Sequence, residues 1–149
     1  MQLSSEQEML DYGQQLAKTL KAPVTLELIG DVGAGKTTLV RGIAQGLNVA
    51  EPVTSPSFTI SRQYATPDGR TLIHYDFYRL SDPGLMAEDL AESISSPTAI
   101  TIIEWADSVA DVLPKNHRQF TITINDDGSR TITEASPQAT AEPVKESNQ

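Results

Sequence analysis

The chain of 149 residues contains no cysteine, which excludes disulfide bonds and thiolate metal sites. Aromatic residues make up only 5% of the chain. No apolar run approaches the roughly 20 residues that a helix needs to span a bilayer. The first residues carry neither a basic cluster nor an apolar segment, so we expect no secretory signal. These absences favour a cytoplasmic protein that is not attached to a membrane.

Basic residues are also scarce, with 11 lysines and arginines against 20 aspartates and glutamates. The resulting net charge is −9 at pH 7. Proteins that hold a phosphate backbone usually carry a basic face. We therefore expect any contact with nucleic acid to be made mainly by a partner protein.

The length is that of one domain with a substantial core. Residues 135–149 contain one valine and no leucine, isoleucine or aromatic residue. Such a segment buries too little apolar surface to offset its ordering entropy. We predict a folded domain over residues 1–134 and a disordered polar tail over residues 135–149.

Strand and helix patterns alternate along the first half of the chain. Ser5 and Glu8 form a predicted capping box, and a helical apolar stripe follows at Met9, Tyr12, Leu16 and Leu20. A buried strand is predicted at residues 24–29 and a second helix after it. Two antiparallel hairpins are predicted, from residues 58–64 with 71–76 and from 120–124 with 130–133. The pattern predicts an α/β fold whose core sheet is parallel and carries antiparallel additions.

The stretch GDVGAGKT at residues 30–37 matches the phosphate-loop pattern GxxxxGK[ST]. An apolar strand precedes it and an amphipathic helix follows it, as that mechanism requires. Glycines let backbone N–H groups approach phosphates, and the helix N-terminus attracts anions. Lys36 is expected to reach the β- and γ-phosphates, and the Thr37 hydroxyl to bind Mg²⁺. The motif thus predicts a bound nucleotide on a P-loop NTPase fold.

Two acidic residues end apolar strand patterns further along the chain. Asp76 follows residues 71–75, and Glu104 follows residues 99–103. Ligands of parallel sheets bind beyond the carboxyl ends of the strands, where either acid could hold the metal. One acid is expected to bind Mg²⁺ and the other to orient the attacking water. Either acid could instead simply be solvated at its strand end.

Three further positions have both a functional and a structural interpretation. Trp105 is either a core residue or a pocket wall and partner contact beside the nucleotide. Thr54 and Ser55 follow the loop helix where a switch would sense the γ-phosphate, or they belong to an ordinary Ser/Pro turn. His74, on the strand face of Asp76, is expected to be structural rather than catalytic.

Two absences narrow the class of nucleotide enzyme. The chain has no Asn-Lys-x-Asp guanine-binding motif, so ATP is favoured over GTP. Its six arginines are scattered from Arg41 to Arg130, without the arginine cluster of a kinase lid. A small P-loop kinase is therefore the less favoured alternative.

Four stretches in order, GDVGAGKTTLVRGIAQGL, VTSPSFTI, HYDFYRL and IIEWAD, resemble the bacterial TsaE family, also called YjeE. The resemblance runs from about Ser5 to about Asp107. It implies a small P-loop ATPase that takes part in forming N6-threonylcarbamoyladenosine (t6A) on tRNAs that read codons starting with A. It also implies partners: TsaD, which transfers the threonylcarbamoyl group, and TsaB, with tRNA contacted mainly through their complex.

The same resemblance assigns roles to individual residues. Thr37 and Glu104 are implied to form the Mg²⁺ site, with Asp76 as a second acid needed for hydrolysis. Trp105 resembles the tryptophan that follows the strand-end glutamate in the family. The phosphate cradle is implied at Gly33, Ala34, Gly35, Lys36, Thr37 and Thr38, and the nucleotide base is implied to lie near Ser5 and Glu6.

Besides the less favoured kinase, the resemblance is compatible with two functions. The chain is either an ATPase whose hydrolysis resets the TsaB–TsaD complex between cycles, or a binding module of that complex that ATP switches on. In the second case hydrolysis is incidental.

Overall fold

The computed structural model describes residues 1–54, 60–78, 82 and 84–135. Within this part of the chain, no helix combines the length and apolar character needed to cross a membrane. The strands are β1 (Gln2–Leu3), β2 (Val24–Ile29), β3 (Ser61–Ala65), β4 (Thr71–Asp76), β5 (Ala99–Glu104), β6 (Arg118–Ile124) and β7 (Arg130–Ala135). The helices are α1 (Glu6–Ala17), α2 (Lys36–Gly46), α3 (Leu85–Ser95) and a 3₁₀ helix (Ala106–Val112).

All seven strands form one sheet in the order β1-β7-β6-β2-β5-β4-β3. The central strands β6, β2, β5 and β4 run parallel to one another. The outer strands β3, β7 and β1 are antiparallel additions, so both predicted hairpins are present. The predicted α/β class, with a mostly parallel sheet flanked by helices, is confirmed.

Two apolar layers cover the sheet, one on each face. Helices α1 and α2 pack on one face, which includes Ile102, and α3 and the 3₁₀ helix pack on the other, which includes Ile103. Every residue of β5 is buried as a result. A parallel strand covered on both faces is expected to be apolar along its length, and before Glu104 only Thr101 of β5 is polar.

Glycines allow α1 and α2 to pack closely. A Cβ atom at Gly42 would lie 2.4 Å from the carbonyl oxygen of Leu10, and one at Gly13 would lie 2.7 Å from that of Leu39. Larger residues would push the two helices apart. The N-terminus of α1 is thereby held near the N-terminus of α2, where the phosphate loop lies.

The predicted capping box is present, except that the Glu8 side chain bonds to the amide of the residue before Ser5. The Ser5 hydroxyl accepts a hydrogen bond from the Glu8 amide at 3.1 Å. The Glu8 carboxylate accepts from the amide of Ser4, at 2.6 Å, rather than from that of Ser5. Helix α1 ends at Ala17, so Leu20 contributes to the core from beyond the helix.

Several element ends differ from the predictions. Strand β1 was not predicted, because two residues carry no periodicity; it pairs with the start of β7. The first predicted hairpin strand includes residues 58 and 59, which lie outside the described residues. Strand β7 ends at Ala135, the first residue of the predicted tail. Residues 136–149 also lie outside the described part, so the disordered tail stays a prediction.

Candidate functional site

The phosphate loop connects the buried strand β2 to helix α2. Gly33 and Gly35 have φ angles of +87° and +112°, a region that favours glycine. Gly35 is also the residue that precedes α2, and no side chain caps the helix there. The first N–H groups of an uncapped helix are free to bind an anion.

Lys36 is buried at the start of α2 and folds back over the loop. Its Nζ donates hydrogen bonds to the carbonyls of Gly30 and Asp31, the latter at 3.2 Å. The same atom lies 4.4 Å from the ring centroid of Trp105. Burial lowers the pKa of Lys36, while the carboxylates of Glu104, Asp76 and Asp31 oppose that shift. The ammonium group of Lys36 therefore lies close to three carboxylates.

Asp76 and Glu104 are direct neighbours across the sheet. They are paired in register at the carboxyl ends of the parallel strands β4 and β5. Both side chains are buried. One Asp76 oxygen accepts a hydrogen bond from the Tyr78 amide at 2.9 Å. Burial raises the pKa of Asp76, and the negative charge of Glu104 adds to the rise.

His74 holds one oxygen of Glu104. The His74 Nε2 lies 2.6 Å from Glu104 Oε2, and both groups are buried. Because a carboxylate only accepts, we assign the proton to Nε2. The His74 Nδ1 meets no hydrogen-bond partner among the described residues. The contact fixes the carboxylate and leaves its second oxygen for another ligand.

Trp105 lies beside Lys36 at the end of β5. It precedes the 3₁₀ helix with a φ of +56° and is half-buried. The Tyr78 ring lies 4.8 Å from the Trp105 ring, centroid to centroid. Trp105 therefore contacts Lys36 and Tyr78, and it also packs against the apolar layer of α3 and the 3₁₀ helix. Its role as a pocket wall or partner contact stays a prediction. We call Lys36, His74, Asp76, Glu104 and Trp105 the acidic half of the site.

A cavity of about 350 Å³ adjoins the loop on the side of α1. We call it the cavity half of the site. It brings the predicted base-side residues Ser5 and Glu6 next to the predicted phosphate cradle. The lining includes Ser5, Glu6, Gly33, Ala34, Gly35, Thr38 and Arg130.

The remaining predicted residues have varied locations. Thr37 is half-buried in the first turn of α2, next to Lys36. Thr54 is exposed, and its amide donates to the Tyr64 hydroxyl at 3.4 Å. Ser55 lies outside the described residues. Residues 1–54, 60–78, 82 and 84–135 contain no cluster of three or more His, Cys, Asp or Glu placed to hold a metal.

No sequence pattern marked Tyr78 or Arg130 as part of this site, and His74 was expected only to be structural. The position of His74, two residues before Asp76, indicated the correct strand face but not its contact with Glu104. Arg130 lies at the start of β7, and its guanidinium reaches the phosphate loop. No local pattern marks such a contact between distant segments.

Known proteins resemble most of this chain in sequence. A family model described as "Threonylcarbamoyl adenosine biosynthesis protein TsaE" matches residues 3–132. Proteins named "tRNA threonylcarbamoyladenosine biosynthesis protein TsaE" are among the relatives. That of Streptomyces coelicolor is 39% identical over 115 residues, covering 76% of this chain and 78% of the relative. The protein of a Nostoc species is 37% identical over 132 residues, which cover 86% of this chain and 80% of that relative.

A solved structure has the same fold. The crystal structure of Bacillus subtilis YdiB matches with a TM-score of 0.75 at 28% identity. The match covers 100% of this chain and 95% of that one.

Proposed function

This chain belongs to the TsaE family of t6A biosynthesis proteins, and from that premise we propose that it is a Mg²⁺-dependent ATPase. The observation that carries the proposal is the acidic half of the site. A buried lysine at the start of α2 lies among two strand-end carboxylates. This is the charge arrangement that metal-assisted phosphoryl transfer requires.

The loop is proposed to bind the phosphates of ATP. Lys36 and the uncapped first turn of α2 supply the positive groups. The cavity beside Ser5 and Glu6 is proposed to take the nucleoside, because it opens directly from the loop. Without a guanine-binding motif in the sequence, ATP is the preferred nucleotide.

Mg²⁺ is proposed to bind at the Thr37 hydroxyl and the Glu104 carboxylate. Mg²⁺ in nucleotide sites commonly uses one or two carboxylates together with substrate phosphates, so a three-acid cluster is not needed. When bound, Mg²⁺ would neutralise charge on the phosphate oxygens. His74 supports the assignment of Glu104, because it fixes one carboxylate oxygen and leaves the other available.

Asp76 is proposed to orient the attacking water. Its neighbour Tyr78 occupies one oxygen through a backbone hydrogen bond. The other oxygen can accept a proton from water as the water oxygen bonds to the γ-phosphorus and the bond from that phosphorus to the ADP oxygen breaks. Asp76 as a second, direct ligand of the metal is the alternative that the experiments below test.

Hydrolysis is proposed to reset the TsaB–TsaD complex in the cytoplasm, so that TsaD completes further rounds of t6A formation. The chain's net charge of −9 supports indirect contact with tRNA through that complex. Exposed apolar residues next to the site support docking of a protein there: Val32 is 66% exposed and Tyr78 44% exposed.

The test is a reconstitution of t6A formation with TsaB and TsaD, with and without this chain. We expect about one turnover of TsaD without it and many with it. ATP hydrolysis by this chain should also be faster with the two partners than without them. Equal turnover in both reactions contradicts the proposed role.

A second candidate is an ATP-gated binding module of the same complex. The contact of Lys36 with Trp105, and of Trp105 with the exposed Tyr78, favours it. A nucleotide that moves Lys36 would thereby reshape the surface. The Glu104→Ala variant separates the two functions. Loss of t6A formation with retained partner binding supports hydrolysis, whereas retained t6A formation supports gating.

A further inference from the structure

Arg130 connects the end of the described chain to the phosphate loop. Its Nε donates to the Ala34 carbonyl at 3.0 Å, and its Nη2 donates to the Gly33 carbonyl at 3.2 Å. Its Nη1 donates to the carbonyl of Gly128 in the preceding turn. One planar guanidinium thus bridges two successive loop carbonyls and its own hairpin.

These bonds fix the orientation of two peptide planes. In a planar trans peptide the carbonyl and the N–H point in opposite directions. Holding the Ala34 carbonyl therefore turns the Gly35 N–H to the other side of the loop. The preceding peptide, between Gly33 and Ala34, is held at both ends, because its carbonyl accepts from Arg130 and its N–H donates to the Asp31 carbonyl at 3.0 Å. Gly33 and Gly35 are conformationally permissive, so an external restraint on this segment reduces the entropy that ligand binding must otherwise remove.

The hairpin that carries Arg130 is itself anchored. Ser129 donates to the Asp127 carboxylate through its amide, at 2.9 Å, and through its hydroxyl, at 2.6 Å. The Gln2 side chain donates to the Ser129 hydroxyl at 2.9 Å, which ties the turn to β1. These hydrogen bonds restrain the turn before Arg130 and so help to hold its guanidinium beside the phosphate loop.

We infer that Arg130, although it lines the cavity, is a positioning residue of the nucleotide site that acts through the phosphate loop and not by contact with the base, because each of its three side-chain nitrogens already donates to a backbone carbonyl. This inference rests on the proposed function, since it assigns Arg130 a part in triphosphate binding. It makes the β6–β7 hairpin a determinant of nucleotide affinity.

The experiment compares Arg130→Gln, Arg130→Lys and the matched control Arg118→Gln. Arg118 lies on the same hairpin, where it pairs with Glu134. Isothermal titration calorimetry measures binding of ATP and of inorganic tripolyphosphate, both with Mg²⁺, and thermal unfolding monitors folding. We expect Arg130→Gln to weaken both ligands by about 10-fold, as for a lost charged hydrogen-bond donor. The affinity of Arg130→Lys for both ligands should lie between those of the unmutated protein and Arg130→Gln, because an ammonium group cannot bridge the two carbonyls.

Three outcomes would overturn the inference. The first is an unchanged tripolyphosphate affinity in Arg130→Gln. The second is a loss of affinity for ATP, but not for tripolyphosphate, in Arg130→Gln. The third is an equal loss of affinity for both ligands in Arg118→Gln. A loss for ATP alone would assign Arg130 to the base, and an equal loss in the control would indicate a general effect of the hairpin. Failure of the unmutated protein to bind either ligand would instead refute the proposed function.

Discussion

The acidic half of the site is held by adjacent strands, whereas the cavity half is held by segments from opposite ends of the described chain. Asp76 and Glu104 are paired on β4 and β5, and His74 lies two residues away from Asp76 on β4. The cavity instead depends on Arg130, which contacts Ala34 from 96 positions further along the chain.

The two halves differ in their proposed roles. The acidic half is proposed to carry out ATP hydrolysis, and the cavity half is proposed to contribute to nucleotide affinity. Strand β5 is buried throughout and β4 almost so, which fixes the carboxylates rigidly. The cavity is lined by exposed residues such as Ser5 and Glu6 and by a hairpin side chain. Substitutions in the acidic half should therefore change the rate of hydrolysis most. Substitutions in the cavity half should change nucleotide affinity and local stability.

The largest effect is expected for Lys36→Ala. Removing the ammonium group takes away the main positive charge for the phosphates, so hydrolysis should fall by at least about 10²-fold. ATP affinity should fall with it, while affinity for adenosine should not, because the nucleoside is assigned to the cavity half. Steady-state ATPase assays and calorimetry measure both, with the exposed Lys115→Ala as control. An unchanged rate would refute the phosphate-loop assignment.

Asp76→Asn and Glu104→Gln are expected to separate the two acids. Asp76→Asn should reduce kcat by roughly 10²-fold or more, the range for a lost acid–base group. Glu104→Gln should reduce kcat through weaker metal binding, and ATP should still bind to both variants. Only Glu104→Gln should also raise the Mg²⁺ concentration needed for half-maximal activity. If Asp76→Asn raises it and Glu104→Gln does not, the metal ligand and the water-orienting acid are exchanged.

His74→Leu should act through Glu104. Loss of the buried hydrogen bond is expected to weaken metal affinity by about 10-fold, as for other groups that orient a metal ligand. His74→Gln can restore a donor to Glu104 and should recover most of the affinity. Mn²⁺ binding to the protein–ADP complex, followed by electron paramagnetic resonance, gives a readout independent of turnover.

The matched control for that variant is His117→Gln. His117 also faces a carboxylate, with its Nε2 2.9 Å from Glu27 Oε1, but Glu27 is not in the site. Metal affinity should be unaffected in this control. A similar weakening in both histidine variants would mean that His74 acts only through general stability.

The smallest effect is expected for Ser5→Ala at the rim of the cavity half. The variant loses the cap of α1, and the free energy of unfolding should fall by about 1 kcal/mol. Urea unfolding measures the change. Ser4→Ala is the control, because Ser4 contributes only its backbone amide to Glu8. Equal losses in both variants would contradict the role of the Ser5 hydroxyl.

Much of the acidic half could be predicted from the sequence because each part has a local signature. Lys36 belongs to the contiguous motif at residues 30–37, and Asp76 and Glu104 each end an apolar strand pattern. Parallel strands place their carboxyl ends at one edge, so the two acids were expected there before their pairing was known. The contact of His74 was not predictable, because strand spacing gives a face but not the strand pairing.

The cavity half could not be predicted on the same basis. Strand β1 has two residues, too few for a periodic pattern, and Arg130 follows a turn without any binding motif. The association of Ser5 and Glu6 with the site came only from a family resemblance. Their location depends on the close packing of α1 on α2 at Gly13 and Gly42.

The sequence by itself determined the phosphate-loop motif, the two strand-end acids and the alternation of strands and helices after β1. Each depends on residues close together in the chain, whose local conformational preferences and burial pattern are sufficient. Only the tertiary structure decided that His74 holds Glu104, that Trp105 lies over Lys36 and that Arg130 restrains the loop. Those contacts join residues that are brought together when the sheet pairs its strands and both of its faces are buried, and no local preference records them.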